Sequence, residues 1–472
     1  MKDQTKEGLA LRLALFFSIP GFITFEEYSP LYFKQLGFSS SDIGLTSLSA
    51  IIVPPIAVTS IGILADRLRA RKTVLFLCIT ISIPVILAPL LPMVVIEKIC
   101  KVTTIANASH KIATLTKERS GNNTNNWSIL NGVLNSRDAI VNPQVLKLSA
   151  MTPIVKNRQS DISFGNSTVS SINTSKEIDS TNLFPFWFAF VILVRMVYDI
   201  LKRTVDTMLK VSVASYVTRI GGNFGAYHCW IDIGAILSVF TAGMLASSWT
   251  TYDICGKRDH GYFVTLIVSA SFLSLALGTL PWMTFEYLDY RVINWPEVKG
   301  VVFDPHYIVM MAMAYFVGFC HAFPVGWEFW YIDQLSGGPV LMAVDGFTRR
   351  LFVLLCFYVS GKFIEKFGEL ETVALSLFLY ALGFLALSFI RIAWLVLVVD
   401  IFYAAGFAFS LSSLVVHFSK AATKASSATI QGELGISWRS AGNQLGISLG
   451  SAGVQLGISW GSAGQRGLLH CD

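Results

Sequence analysis

Charge is scarce in this sequence. Asp, Glu, Lys and Arg make up 14% of its 472 residues, against 53% hydrophobic ones, whereas soluble domains carry about a quarter charged. With a mean hydropathy of +0.58, this excludes a soluble globular chain and predicts an all-α polytopic membrane protein. No basic block with interleaved aromatics accompanies the net charge of +6, so nucleic acid is not expected as a partner. The seven cysteines include no CxxC pair and no zinc spacing, and most read as buried thiols acting as small hydrophobes. A nucleophile with its base, a phosphate loop and a metal cluster are all missing, so neither an enzyme nor a cofactor is expected. The N-terminus has bases followed by LALFFSIPGF but no small-residue cleavage site. It reads as an uncleaved first span, not a signal peptide.

What the sequence does have is long apolar runs. Ten candidate spans lie near 8-33, 43-64, 73-95, 184-205, 228-248, 262-282, 306-331, 339-362, 371-390 and 393-417, each able to cross roughly 30 Å of hydrocarbon. With Lys2 and Lys6 inside, the gap after span 2 is cytoplasmic and carries Arg67, Arg69, Arg71 and Lys72. Lys202 and Arg203, Lys362 and Lys366, and Lys420 and Lys424 then fall on the same side, as the positive-inside rule requires. The inner stretch 283-305 dissents, with four acids against two bases. These spans divide the chain into a six-span bundle (1-282), a cytoplasmic linker (283-305) and a four-span bundle (306-417), in the plasma membrane or an endomembrane.

Two segments break the pattern. Residues 97-183 are rich in Ser, Thr and Asn without apolar periodicity, and read as a long extracellular loop. The loop holds five N-x-S/T sequons, at Asn107, Asn122, Asn126, Asn166 and Asn173. All fall on the side that the charge rule independently calls extracellular, which favours real glycosylation. Cys100 and Cys255 lie on that oxidising side too, where a disulfide would tether the root of the loop. Residues 434-466 are three tandem copies of eleven residues, LGISWRSAGNQ, LGISLGSAGVQ and LGISWGSAGQR. Period eleven suits a helix, but each glycine costs about 1 kcal/mol against alanine, so a stable span is not expected there.

The short gap GILADRLRARK (62-72) has a cousin between spans 8 and 9, GKFIEKFG (361-368). Gly, three residues, an acid, then a base recurs: Gly62, Asp66, Arg67 against Gly361, Glu365, Lys366, with Gly368 closing the second copy. Each copy follows the second span of its half, so the chain reads as two related bundles. These residues resemble the major facilitator superfamily, whose signature between helices 2 and 3 has Gly62, Leu64, Ala65, Asp66 and Arg67 in place. This chain has Arg69 where glycine is usual and one residue more before Arg71 and Lys72. LYFKQLGFSSSDIG (31-44) and FWYIDQLSGGPVLM (329-342) narrow the resemblance to the branch named major facilitator superfamily domain-containing protein 6. It covers roughly residues 8 to 430. Helices 11 and 12 of the superfamily are then missing or aberrant, with the repeat in their place. The resemblance also implies that Asp66 and Glu365 act as conformational latches, Glu365 against the region of span 5 near Asp232.

Charges inside spans show where water or partners are, because each costs at least about 2.5 kcal/mol at mid-bilayer. Spans 3, 6 and 9 have none in their interiors. Span 1 carries Glu26 and Glu27, span 4 Arg195 and Asp199, span 5 Asp232, span 7 Glu328, span 8 Asp345, Arg349 and Arg350, and span 10 Asp400. In the resembling family, helices 3, 6 and 9 face lipid while 1, 4, 7 and 10 line the cavity. Counted from the span ends, Glu26, Glu27 and Glu328 are expected near the outer surface, Asp232 near the inner one, and the arginines with Asp400 in the middle. Arg195 with Asp199, and Asp345 with Arg349, have salt-bridge spacing. Asp400 has no base within four residues and is the best placed carrier of a proton or cation. His321 and His417 are given no role. Pro20-Gly21 and Pro54-Pro55 would loosen spans 1 and 2.

The expected function is a secondary transporter moving a small polar solute by alternating access, with protons as a coupling ion. A sugar or nucleoside is implied by the resemblance alone. The rival expectation is a receptor or scaffold whose glycosylated loop binds a protein ligand.

Overall fold

The computed structural model describes residues 2-49, 51, 53-91, 180-220, 224-252, 258-283, 303-421 and 446-447. The five sequons, Cys100 and Cys255 lie outside the described residues. By contacts the chain divides into Met1–Ile96 with Phe186–Asp472, and Glu97–Pro185; everything below concerns the first unit.

Helices dominate. The first half has α1 (Lys2–Gln35), α2 (Ser40–Leu48), α3 (Val53–Arg67), α4 (Arg71–Leu87), α5 (Ser180–Ile220), α6 (Phe224–Ser248) and α7 (Phe263–Thr279). The second has α8 (Pro305–Gly326), α9 (Glu328–Gln334), α10 (Pro339–Phe367), α11 (Glu369–Phe389) and α12 (Val396–Ala421). A hairpin of β1 (Thr250–Tyr252) and β2 (Arg258–His260) sits between α6 and α7, a small departure from the all-helical expectation. Gln35 at the end of α1 donates to the His260 carbonyl at 2.8 Å and ties the hairpin down.

Among the described residues, seven stretches are long and apolar enough to cross a membrane, matching predicted spans 1, 2, 5, 6, 7, 9 and 10. Predicted spans 3, 4 and 8 map onto α4, α5 and α10. For α5 and α10 the reason is chemical: they carry Arg195, Asp199, Lys202 and Arg203, and Asp345, Arg349 and Arg350, more charge than the other spans hold. α5 is 41 residues long and runs well past the predicted end at 205. Lys202 and Arg203, read as loop flanks, are therefore in mid-helix.

Within the first bundle α1 packs on α6 and α7, and in the second α12 packs on α10 and α11. The bundles meet chiefly where α6 lies against α10. Apolar side chains such as Phe76 and Ile81 of α4, Ile267 and Leu275 of α7, and Phe378 and Leu385 of α11 point outward, the faces expected to meet lipid.

Glycines make close approaches in both halves. Pro20 has no N–H to give the Phe16 carbonyl, and Gly234 of α6 rests there, where an added Cβ would meet the Phe16 carbonyl and lie 2.8 Å from Pro20 Cγ. In α8 the close approach lies just before Pro324, beside the Phe319 carbonyl. The glycine facing the turn before it is Gly446 of the second eleven-residue copy, where a Cβ would lie 2.5 Å from Ala322 Cβ and 2.7 Å from the Phe319 carbonyl. Ile447 is 4% exposed and its carbonyl accepts from Trp327 Nε1 at 2.8 Å. The repeat thus reaches the second bundle's core instead of trailing from it. Gly446, unfavourable for an isolated helix, permits this packing. Gly446→Leu is expected to destabilise the protein by about 1–3 kcal/mol through overpacking, read as a lower thermal midpoint in detergent; an unchanged midpoint would mean that the contact carries no load.

The two signature gaps differ from expectation. Arg69 adopts φ 51, the left-handed conformation that the glycine usual at this position supplies without penalty. Arg69→Gly should therefore raise stability by up to about 1 kcal/mol, seen as a higher unfolding midpoint. Lys72 donates to the Pro281 carbonyl at 2.9 Å, bracing the turn after α7 within its own bundle. Gly62 and Gly361 have open space around them, while Gly368 ends α10 at φ 95. Arg67 is exposed, Arg71 starts α4, and the Asp66 side chain lies outside the described residues. Glu365 is exposed with no ion pair found among the described residues, and Lys366 lies over the Phe367 ring. Asp232 lies further along α6 and lines a cavity, and residues 221-223, at the start of the region expected to meet Glu365, lie outside the described residues.

Candidate functional site: an ion-paired cavity between the bundles

A cavity of about 210 Å³ lies between the two halves. Its first-bundle wall carries Glu26 and Glu27 of α1, Asp199, Lys202, Arg203, Asp206 and Lys210 of α5, and Asp232 of α6. Its second-bundle wall carries Arg349, Arg350 and Phe357 of α10, His321 of α8 and Phe407 of α12. The His321 and Phe407 rings stack at 4.3 Å.

The charges fall into two networks. In the first, Arg195 Nε donates to Asp199 Oδ2 at 3.0 Å, as the i,i+4 spacing suggested, and its Nη2 lies 3.8 Å from Glu26 Oε1. Lys202 pairs with Glu26 as well, and Asp206 with Lys210 at 2.8 Å. Tyr198 donates to the Phe22 carbonyl at 2.6 Å, fixing α5 against α1. The second network crosses between bundles. Glu27 of α1 pairs with Arg350 and lies 3.4 Å from Arg349 Nη2. Arg349 also pairs with Glu328, donates to the Pro324 carbonyl at 2.8 Å and lies 3.8 Å from Asp345. Its expected i,i+4 partner Asp345 is thus the longer contact. Glu328, Asp345 and Asp400 are each 0% exposed and bring carboxylate oxygens within 4.8 Å of one another.

This corrects the depth assigned to Glu26, Glu27 and Glu328. They are not an outer vestibule: they are 7%, 4% and 0% exposed and bound to the central arginines. α1 has 34 residues, about 50 Å at 1.5 Å per residue, so counting inward from a span end misplaces its acids. Glu328 is carried inward by the helix break at Trp327, where α8 stops and α9 begins. Lys202, Lys210, Phe357 and Phe407 were missed as site residues; the Asp206–Lys210 spacing was the available signal for a continuing helix.

The cavity is closed at one end. Beyond it, Tyr28 packs on Phe329 at 4.9 Å, Lys34 Nζ pairs with Asp333 at 2.6 Å, and Gly243 of α6 abuts Pro339 and Ala343 of α10. The opposite end is where α1, α6 and α8 start and α5, α10 and α12 finish. There His417 Nδ1 meets Glu369 Oε2 at 2.7 Å and its Nε2 faces His306 Nε2 at 3.1 Å, a cluster without a sequence-predicted role.

The class defined is a multi-pass integral membrane protein of two helical bundles around a polar central cavity. A sequence profile of the MFS_1 like family matches residues 9–461, and the chain belongs to that family. The match runs on into the eleven-residue repeat, past residue 430 where the resemblance was expected to fail. Solved structures share the fold at low identity. The nucleoside transporter NupG aligns with TM-score 0.55 and 13% identity, over 96% of this chain and 91% of that one. A D-xylose-proton symporter gives 0.53 and 13%, over 95% and 88%, and the inward-open xylose transporter XylE from E. coli 0.53 and 11%, over 94% and 89%.

Proposed function

We propose that this protein is a secondary transporter, of the branch resembling major facilitator superfamily domain-containing protein 6, that carries a small polar solute by alternating access. The carrying observation is the cavity itself, lined by charges from α1, α5, α6 and α10, with the bundles packed together on its Tyr28, Lys34 and Gly243 side. In this reading ten spans cross the membrane, the N-terminus is cytoplasmic and loop 97-183 is extracellular with its glycans. The open end then faces the cytoplasm, so the conformation is inward-facing. A sugar- or nucleoside-like solute fits the names of the proteins sharing the fold. Asp400 carries a coupling ion, proton or metal, because its carboxylate is buried at the bundle core where charge is costly without a partner.

The test is uptake by cells or proteoliposomes across a panel of labelled sugars and nucleosides. Asp400→Asn is expected to lower uptake at least tenfold, while deletion of 105-180 leaves it intact. Loss on loop deletion with no effect of Asp400→Asn would favour the receptor.

A further inference from the structure

We infer that Glu328, Asp345 and Asp400 form a binding site for one hard divalent metal cation, set behind Arg349 and apart from the solute cavity. Its use as the coupling ion rests on the transporter reading; its binding does not.

The three carboxylates come from α9, α10 and α12, three elements separate in sequence, and none of them lines the cavity. Arg349 lies between the two sites, lining the cavity and touching Glu328 and Asp345. One oxygen from each carboxylate lies within 4.8 Å of the others. Two oxygens on one ion cannot be further apart than twice the metal–oxygen distance, about 4.6–5.2 Å for a calcium-sized ion. The trio meets that limit without rearrangement.

A second observation points to a ligand. Both oxygens of Asp400, whose carboxyl meets that of Asp345 within hydrogen-bonding reach, are buried without a donor among the described residues. Tyr403, one turn further along α12, has a buried hydroxyl in the same condition. A carboxylate kept from water and from donors needs a cation or a proton. The convergence of three carboxylates on one point favours the cation, and the charges accommodate it. Three acids face one base, Arg349, while Glu27 and Arg350 offset each other across the bundle interface. Two negative charges remain, and one divalent ion closes the balance. An all-oxygen donor set selects calcium, magnesium or manganese over thiophilic metals, and the 4.8 Å span fits calcium as it stands while the smaller ions need the carboxylates to draw in.

The test uses the full chain in detergent, stripped with chelator and titrated at fixed pH and ionic strength with calcium, magnesium, manganese or sodium chloride. A saturable rise in unfolding midpoint with a divalent ion is expected. The Asp345→Asn/Asp400→Asn double variant should need at least tenfold more ion, while Glu371→Gln, an exposed acid on α11, should respond as wild type. Manganese paramagnetic resonance on the wild-type protein should count one bound ion per chain, which keeps the test decisive if the double variant fails to fold. No divalent response, a response to sodium alone, an unchanged response in a folded double variant, or stabilisation by acid alone would overturn the site. Uptake without metal response would sink the metal site and leave the transporter; metal response without uptake of any solute would do the reverse.

Discussion

Arg349→Ala should be among the most damaging single substitutions in this protein. Arg349 is 7% exposed and contacts Glu27, Glu328 and Asp345. Its removal strips Glu328 and Asp345 of the contacts it makes and leaves Glu27 with Arg350. Deleting one partner of a buried pair typically costs about 3–5 kcal/mol, because the other charge stays desolvated. The double variant Arg349→Ala/Glu328→Ala should recover part of that loss, since a stranded carboxylate goes with the guanidinium. Thermal unfolding of the two variants in detergent measures both terms. If Arg349→Ala lies within about 1 kcal/mol of wild type, the network is not the load this account makes it.

Gly243→Leu should move the conformational balance. Gly243 sits where α6 crosses α10 at the closed end, and even a Cβ would meet the Tyr28 hydroxyl, lie 2.7 Å from Ala343 Cβ and 2.9 Å from the Pro339 carbonyl. Backbone and helix side chains cannot withdraw as a flexible tip can, so leucine acts as a wedge between bundles. A wedge selective for one state shifts a two-state equilibrium by its whole clash energy. In a Val353→Cys protein, whose label site lines the cavity, an impermeant thiol reagent should react from the cytoplasmic side. Adding Gly243→Leu should raise reaction from the outside at least tenfold. Unchanged sidedness would remove the outer seal from the mechanism.

Much of this was legible in the sequence, and the misses share a cause. Apolar runs located α1, α6, α7, α8, α11 and α12 because each is long and apolar enough to cross a membrane. Arg195, Arg349 and Asp400, singled out because charge inside a span needs a polar cavity or partner, are 7%, 7% and 0% exposed. Reading failed where a cavity-lining helix is polar enough to resemble its own end: α5 continues through Lys202, Arg203, Asp206 and Lys210, which hydropathy marks as loop. It failed again at Glu26, Glu27 and Glu328, where helix length and a break at Trp327 separate sequence position from depth. The crossing pairs Glu27–Arg350 and Lys34–Asp333 join residues about 300 positions apart and have no local sequence signature. The tail was underread for a different reason. Propensity scores its glycines as helix breakers, whereas Gly446 is small because Phe319 and Ala322 leave no room for a side chain.

The central claim is that two bundles rock about this cavity. Leu68, at the end of α3, and Phe367, at the end of α10, are both exposed at the open end. Spin labels at these positions, read by pulsed dipolar spectroscopy in lipid nanodiscs, report the separation of the bundles directly. The account predicts a long distance in the otherwise wild-type chain and a shorter one, with the long population depleted, when Gly243→Leu wedges the opposite end. A single distance, unmoved by the wedge, would contradict it.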